Sequence, residues 1–154
     1  MRRSLPRRIR KRLGSKPQDI QSANLNLEGQ IVVMNDKRFE GLWNAPAEKR
    51  YKHFVTYTVD YESAWLLAND DGFATIDVDG YIHLLVWPEK EFAVAYSEED
   101  NPIEMDIHEF CERCENMMNE ENIRFMVFPT DKDAWVISTE GLLNDLTEEL
   151  ERVE

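Results

Sequence analysis

From Asp36 onward, apolar side chains recur at spacings that change several times along the chain. Phe39 and Trp43 stand four apart, which predicts a short helical turn from Asp36 to Trp43 with one apolar face. Asn44-Ala45-Pro46 stops it. Pro46 suits the first turn of a second helix, over about residues 46 to 60, with Tyr51, Phe54, Val55 and Val59 inward and Glu48, Lys49 and Lys52 in water. From Ser63 the period shortens. Three apolar runs, Ala64 to Ala68, Phe73 to Asp77 and Tyr81 to Trp87, are separated by Asn69-Asp70-Asp71-Gly72 and Val78-Asp79-Gly80. Glycine supplies the positive φ that tight turns need, and Asp and Asn satisfy the turn backbone, so a three-strand meander is expected. On its third strand Ile82, Leu84 and Val86 are wholly aliphatic and are expected to face the core. Tyr81, His83, Leu85 and Trp87 then share the opposite, half-covered face.

Pro88 lacks the amide a ladder requires and ends that strand, and Glu89 to Ser97 reads as a helix with Phe92, Ala93 and Tyr96 inward. A polar loop from Ser97 to Pro102 follows. Asp106, with Glu109 three residues on, predicts a capped helix whose stripe is Ile107, Phe110, Cys111, Cys114, Met117 and Met118, ending near Glu121. Arg124 to Phe128 and Ala134 to Ile137 read as a two-strand hairpin. Ser138 or Thr139 then caps a last helix that buries Leu142, Leu143, Leu146, Leu150 and Val153. There is no internal repeat or low-complexity linker. The expected fold is α+β over residues 34 to 154, one domain in which a single antiparallel or mixed sheet, meander plus hairpin, is flanked by helices.

Composition changes this picture at one end. Of the 154 residues 42% are apolar, enough for a core, and no apolar run approaches the ~18 residues of a membrane span. The formal charge is −13. Residues 1 to 33 carry eight Arg and Lys against Asp19 and Glu28, a net +6, which leaves −19 for the rest. A body so acidic repels nucleic acid and anionic lipid, so neither is expected as a partner of the folded part. The N-terminal segment is expected to be a disordered basic arm, open to three readings. It is an upstream-start artefact before Met34-Asn35-Asp36-Lys37, the favoured reading, or a tail making charge contacts with nucleic acid or membrane, or a targeting peptide, for which the apolar h-region is missing. Two cysteines three apart make no disulfide framework, and a reducing cytoplasm is the expected compartment.

Candidate chemistry is sparse. Cys111-Glu112-Arg113-Cys114 is a lone CxxC lying inside a helix on its apolar stripe rather than at a helix N-terminus, so the cysteines are expected to be small buried hydrophobes. Asp70, Asp71, Asp77 and Asp79 cluster at two turns, but the spacing of a calcium loop is absent and turns favour Asp for backbone reasons. No nucleophile elbow, P-loop or Rossmann glycine run is present. No catalytic residue, metal or cofactor is expected. The densest segment is Trp87-Pro88-Glu89-Lys90-Glu91-Phe92-Ala93, at a strand-to-helix junction of the kind that forms binding surfaces.

Through these residues the chain from about Arg50 to Val153 resembles an uncharacterised bacterial family, domain of unknown function 2750. The likeness is carried by Arg50-Tyr51 with Phe54, Trp65 with Leu67, Asp71-Gly72, the Trp87 to Ala93 string, Phe128-Pro129, and Ser138 with Leu142 and Leu146. The cysteines and Glu98-Glu99-Asp100 fall outside its pattern. The resemblance implies a fold outline and a start near Met34, and no mechanism.

The expected function is a non-enzymatic, cytoplasmic binding domain, immunity-type or regulatory, that shows a negative surface to a basic protein such as a toxin. Trp65, Tyr81 and Trp87 are the expected aromatic anchors. Asp70, Asp71, Asp77, Asp79, Glu89 and Glu91 answer basic groups, with Pro88 and Lys90 in the same surface. Two alternatives stand beside it: a small hydrolase or metal-dependent enzyme using Asp77, Asp79 and His83, and nucleic-acid or membrane contact through the arm alone.

Overall fold

The computed structural model describes residues 2–4 and 36–153. In chain order the elements are β1 (Arg2–Ser4), α1 (Asp36–Trp43), α2 (Ala47–Asp60), β2 (Ser63–Asn69), β3 (Gly72–Phe73), β4 (Thr75–Val78), β5 (Tyr81–Val86), α3 (Lys90–Tyr96), β6 (Asn101–Asp106), α4 (Ile107–Asn116), β7 (Ile123–Val127), β8 (Asp133–Ser138) and α5 (Thr139–Val153). The fold is α+β. The readings of residues 1 to 33 fall outside the described residues except at Arg2–Ser4, which runs antiparallel along β8. No helix among the described residues is long and apolar enough to cross a membrane.

Turn chemistry fixes the first hairpin. Asp79 and Gly80 both have positive φ, 54° and 84°, the backbone of a two-residue turn that matches strand twist, and β4 and β5 pair from Val78↔Tyr81 to Thr75↔Leu84. The expected meander nevertheless divides. Gly72–Phe73 folds back on β2, while Thr75 begins the strand that pairs with β5, so the chain changes sheets at Ala74, whose amide still donates to Leu67 O at 2.8 Å. Apolar periodicity marks a strand without naming its partner. The single sheet expected from sequence is therefore corrected to two, one ordered β1-β8-β7-β5-β4 and one ordered β3-β2-β6. They meet where Trp65 and Trp87 exchange backbone hydrogen bonds of 2.9 Å each way.

The expected polar loop through Pro102 is shorter, because β6 pairs antiparallel with β2 from Ser63↔Asp106 to Ala68↔Asn101. Its Pro and its acids are edge-strand residues, which hide a strand from propensity. In the larger sheet β5 and β7 run parallel, joined by a crossover through α3, β6 and α4. β5 is an interior strand covered on both faces. His83 and Leu85, and Trp87 just beyond the strand, are buried, whereas Ile82 and Leu84 are half-buried, the reverse of the expected orientation; Val86 is buried as expected. His83 is tolerated inside because its Nδ1 lies 3.1 Å from Ile76 O on the neighbouring strand.

The helices follow their signals more closely. Asp106 caps α4 by accepting from the His108 and Glu109 amides at 2.8 and 3.3 Å. Ser138 Oγ accepts from Gly141 N ahead of α5, which buries Leu142 and Leu146 as expected. α4 stops at Asn116 rather than near Glu121, its last carbonyls taken by the Met117 amide. α2 and α5 lie against β7 and β8, and α3 and α4 against the smaller sheet. Phe39 of α1 stacks on Trp43 and on Phe92 of α3, and Phe92 meets Phe128 at 4.5 Å.

Beside these rings sits a buried cation. Arg50, 1% exposed, donates to Ala45 O (2.6 Å), Phe128 O (3.0 Å), Asp133 O (2.9 Å) and Asp133 Oδ1 (2.7 Å). Replacing it with Met leaves Ala45 O, Phe128 O and the Asp133 carboxylate without this donor, while Asp133 O keeps the Thr130 amide. Arg50→Met is expected to cost about 3 to 5 kcal/mol, seen as a lower urea midpoint at unchanged slope. A loss under about 1 kcal/mol would show that water takes over the Arg50 contacts.

Candidate functional site

The chain between β5 and α3 and the C-terminal turn of α2 form a groove of about 340 Å³. Each wall has a local cause. Tyr57 and Tyr61 are one helical turn apart and stack at 4.2 Å, leaving Tyr61 66% exposed at the end of α2. Trp65 and Glu104 are cross-strand partners of β2 and β6, so they stand side by side on one face. Pro88 turns the chain out of the sheet, and Glu89, Lys90 and Glu91 lead into α3.

Glu89 is the fixed point of the groove. Arg38 of α1 grips it in a two-pronged contact, 3.0 and 2.6 Å, and His53 Nε2 lies 3.7 Å away. The Arg38 guanidinium also sits 5.5 Å from the centre of the Tyr57 ring. Burial alone would raise the Glu89 carboxyl, but its contacts with His53 and Arg38 outweigh that and hold it below the usual glutamate range. Burial, and then the Glu89 charge, push the Tyr57 phenol up to about 12, which keeps it neutral. Glu91 is raised by burial first and by neighbouring Glu89. Arg38 neutralises Glu89, so the acids open to a partner are Glu91, half-buried, and Glu104, exposed.

One family model matches the chain, that of a protein of unknown function (DUF2750), over residues 51–146. The chain belongs to this family. No curated protein and no solved structure matches it. The DUF2750 match takes in β2 to β8 and the groove residues from Tyr57 to Glu104, and it begins after Arg38.

Of the residues named from sequence, Trp65, Pro88, Glu89, Lys90 and Glu91 meet at this groove. Trp87 does not: it is wholly buried, with Nε1 donating to Pro129 O at 2.9 Å, and its place as an anchor is corrected to the core. Tyr81 stands at the opposite end of β5, half-buried under the Arg124 guanidinium at 3.5 Å. Asp70, Asp71, Asp77 and Asp79 are exposed at turns some 15 to 20 Å along the strands, about five or six residues at ~3.3 Å each, and join no common surface with the groove. Nor do Asp77 and His83 converge as the alternative enzyme reading requires. His83 pairs with Ile76 and shares its face, so adjacent Asp77 points to the other. Among the described residues no three His, Cys, Asp or Glu side chains gather as metal ligands.

Tyr57, Tyr61, Ser63, Glu104, Arg38 and His53 were missed. The only local signal was the i, i+4, i+8 row His53, Tyr57, Tyr61, which lies beside the apolar stripe of α2. Cys114 is a buried hydrophobe as expected, whereas Cys111 is half-buried; burial pushes their thiols up to about 12 and about 11 respectively.

The lowered Glu89 carboxyl has a pH signature. A folded value below the ordinary 4.5 contributes stability above that pH and loses it as the pH falls through the folded value. Glu89→Gln is expected to cost about 2 kcal/mol near neutrality. In urea unfolding across a pH series the gap to wild type should close below the ordinary glutamate value, and a gap unchanged in acid would refute the pairing.

Proposed function

We propose that this chain is a non-enzymatic, cytoplasmic protein-binding domain that receives a basic segment of a protein partner in the groove between α2, β2, β6 and α3. The observation that supports the reading is the meeting of two aromatic rings with open acids: exposed Tyr61 and half-buried Trp65 stand beside Glu91 and Glu104, while Glu89 is already matched by Arg38. A Lys or Arg side chain entering there stacks its stem and charge on the rings and finds a carboxylate at hand. The −19 of residues 34 to 154 steers such a partner from a distance, with an effect that falls as salt shortens its range. A basic toxin is one partner of this kind, and binding it would make the domain immunity-type. A basic regulatory protein fits the same chemistry.

Fluorescence anisotropy with short Arg- and Lys-containing peptides, against neutral and acidic peptides of equal length, tests the proposal. The basic peptides are expected to bind, with affinity falling as salt rises. Reversing Glu91 and Glu104 to Lys should weaken them at least tenfold, worth about 1.4 kcal/mol, and Tyr61→Ala should cost about 2 kcal/mol as an aromatic anchor does. Equal binding of neutral peptides, or affinity unchanged by the charge reversal, would end the reading.

A further inference from the structure

Beyond the Trp65–Trp87 bridge the two sheets part, and α4 closes the wedge between them over a cavity of about 230 Å³. Leu66 and Met105 line it from the smaller sheet, Leu84 and Phe125 from the larger, and Phe110 and Met117 from α4. It is distinct from the groove, and only Arg113 and Asn116 bring polar side chains to it. We infer that this cavity is a binding site for a small amphipathic carboxylate, its hydrocarbon part held between the sheets and its anionic end on Arg113.

Three observations carry this. The cavity is larger than the engineered void of about 150 Å³ that takes up benzene and otherwise stays dry. Apart from Arg113 and Asn116 its walls are apolar, so hydrocarbon suits the interior better than solvent. Arg113 supplies the one charge. Its side chain is 52% exposed, its guanidinium lies 5.7 Å from the centre of the Phe73 ring, and its Nε donates to Glu109 at 3.2 Å. Among the described residues its terminal nitrogens have no other acceptor, and that edge can take a carboxylate two-pronged. The Glu109 contact is an exposed pair one helical turn apart, which offers little resistance to a competing anion.

The probe is octanoate, compared with octanol, which keeps the chain and drops the charge, and with acetate, which keeps the charge and drops the chain. The readout is the methyl spectrum of methionine-labelled full-length protein. Met105 and Met117 line the cavity, and Met126 serves as control because it follows Phe125 on β7 and points to the opposite face of the sheet. Octanoate should shift Met105 and Met117 saturably and leave Met126 in place, octanol should bind at least tenfold more weakly, and acetate should shift neither. Arg113→Gln, a change at an exposed position, should bring octanoate down to the affinity of octanol. Leu84→Phe, which fills the cavity, should abolish both. Equal binding of octanoate and octanol, octanoate affinity unchanged by Arg113→Gln, or no movement of Met105 and Met117 would each overturn the proposal, whether or not Leu84→Phe folds.

Discussion

One buried guanidinium ties the N-terminal helices to the sheet. Arg50 reaches the carbonyl of Ala45 before α2 and those of Phe128 and Asp133 at the two ends of the β7–β8 connection, two segments distant in sequence that must turn in the same small volume. Each turn leaves a carbonyl facing inward, and a planar cation with several fixed donors satisfies them together where a lysine could not. Phe128, held at a φ of 53°, depends most on that support, since a non-glycine residue adopts a left-handed backbone only where its surroundings impose it. The rings of Phe39, Trp43, Phe92 and Phe128 pack around the same point and join α1 and α3 to it.

From this centre the groove inherits its shape. α1 is held by Phe39 and Trp43, which places Arg38 against Glu89, and α2 is held by Arg50 and Phe54, which places Tyr57 and Tyr61 at the rim. Glu89 is thus a positioning carboxylate: its charge is spent inside the protein on Arg38, and it orders the entry to α3. Surface acids that have no such partner are the ones free to act outward. Net charge alone did not separate the two kinds, because a carboxylate counts equally in a sum whether it is paired or open.

The fold was legible wherever a local chemical constraint left a mark. Asp79-Gly80 announced its turn, Asp106 its helix cap, and Leu142 and Leu146 the buried face of α5. Partner choice left no such mark. Ala74 lies between two runs of ordinary strand composition, and nothing in their alternation says that one pairs with β2 and the other with β5. β6 was lost because Pro102, Glu104 and Asp106 are poor strand residues in isolation and belong at an edge. His83 was assigned to the half-covered face because alternation is informative only for strands covered on one side, and β5 is covered on both. Half of the groove was likewise legible, since Trp65 and the Pro88 to Glu91 segment carry it in sequence. Tyr57, Tyr61 and Glu104 arrive there only through folding, by the end of α2 and the edge pairing of β6.

β2 forms a common wall. Consecutive side chains on a strand point in opposite directions, so Trp65 looks toward the groove while Leu66, its neighbour, looks into the apolar cavity. Only the thickness of one extended backbone separates the two recesses, and the Trp65–Trp87 hydrogen bonds hold that backbone to the larger sheet. β2 therefore serves both recesses at once, giving the groove an aromatic wall through Trp65 and the cavity an aliphatic one through Leu66.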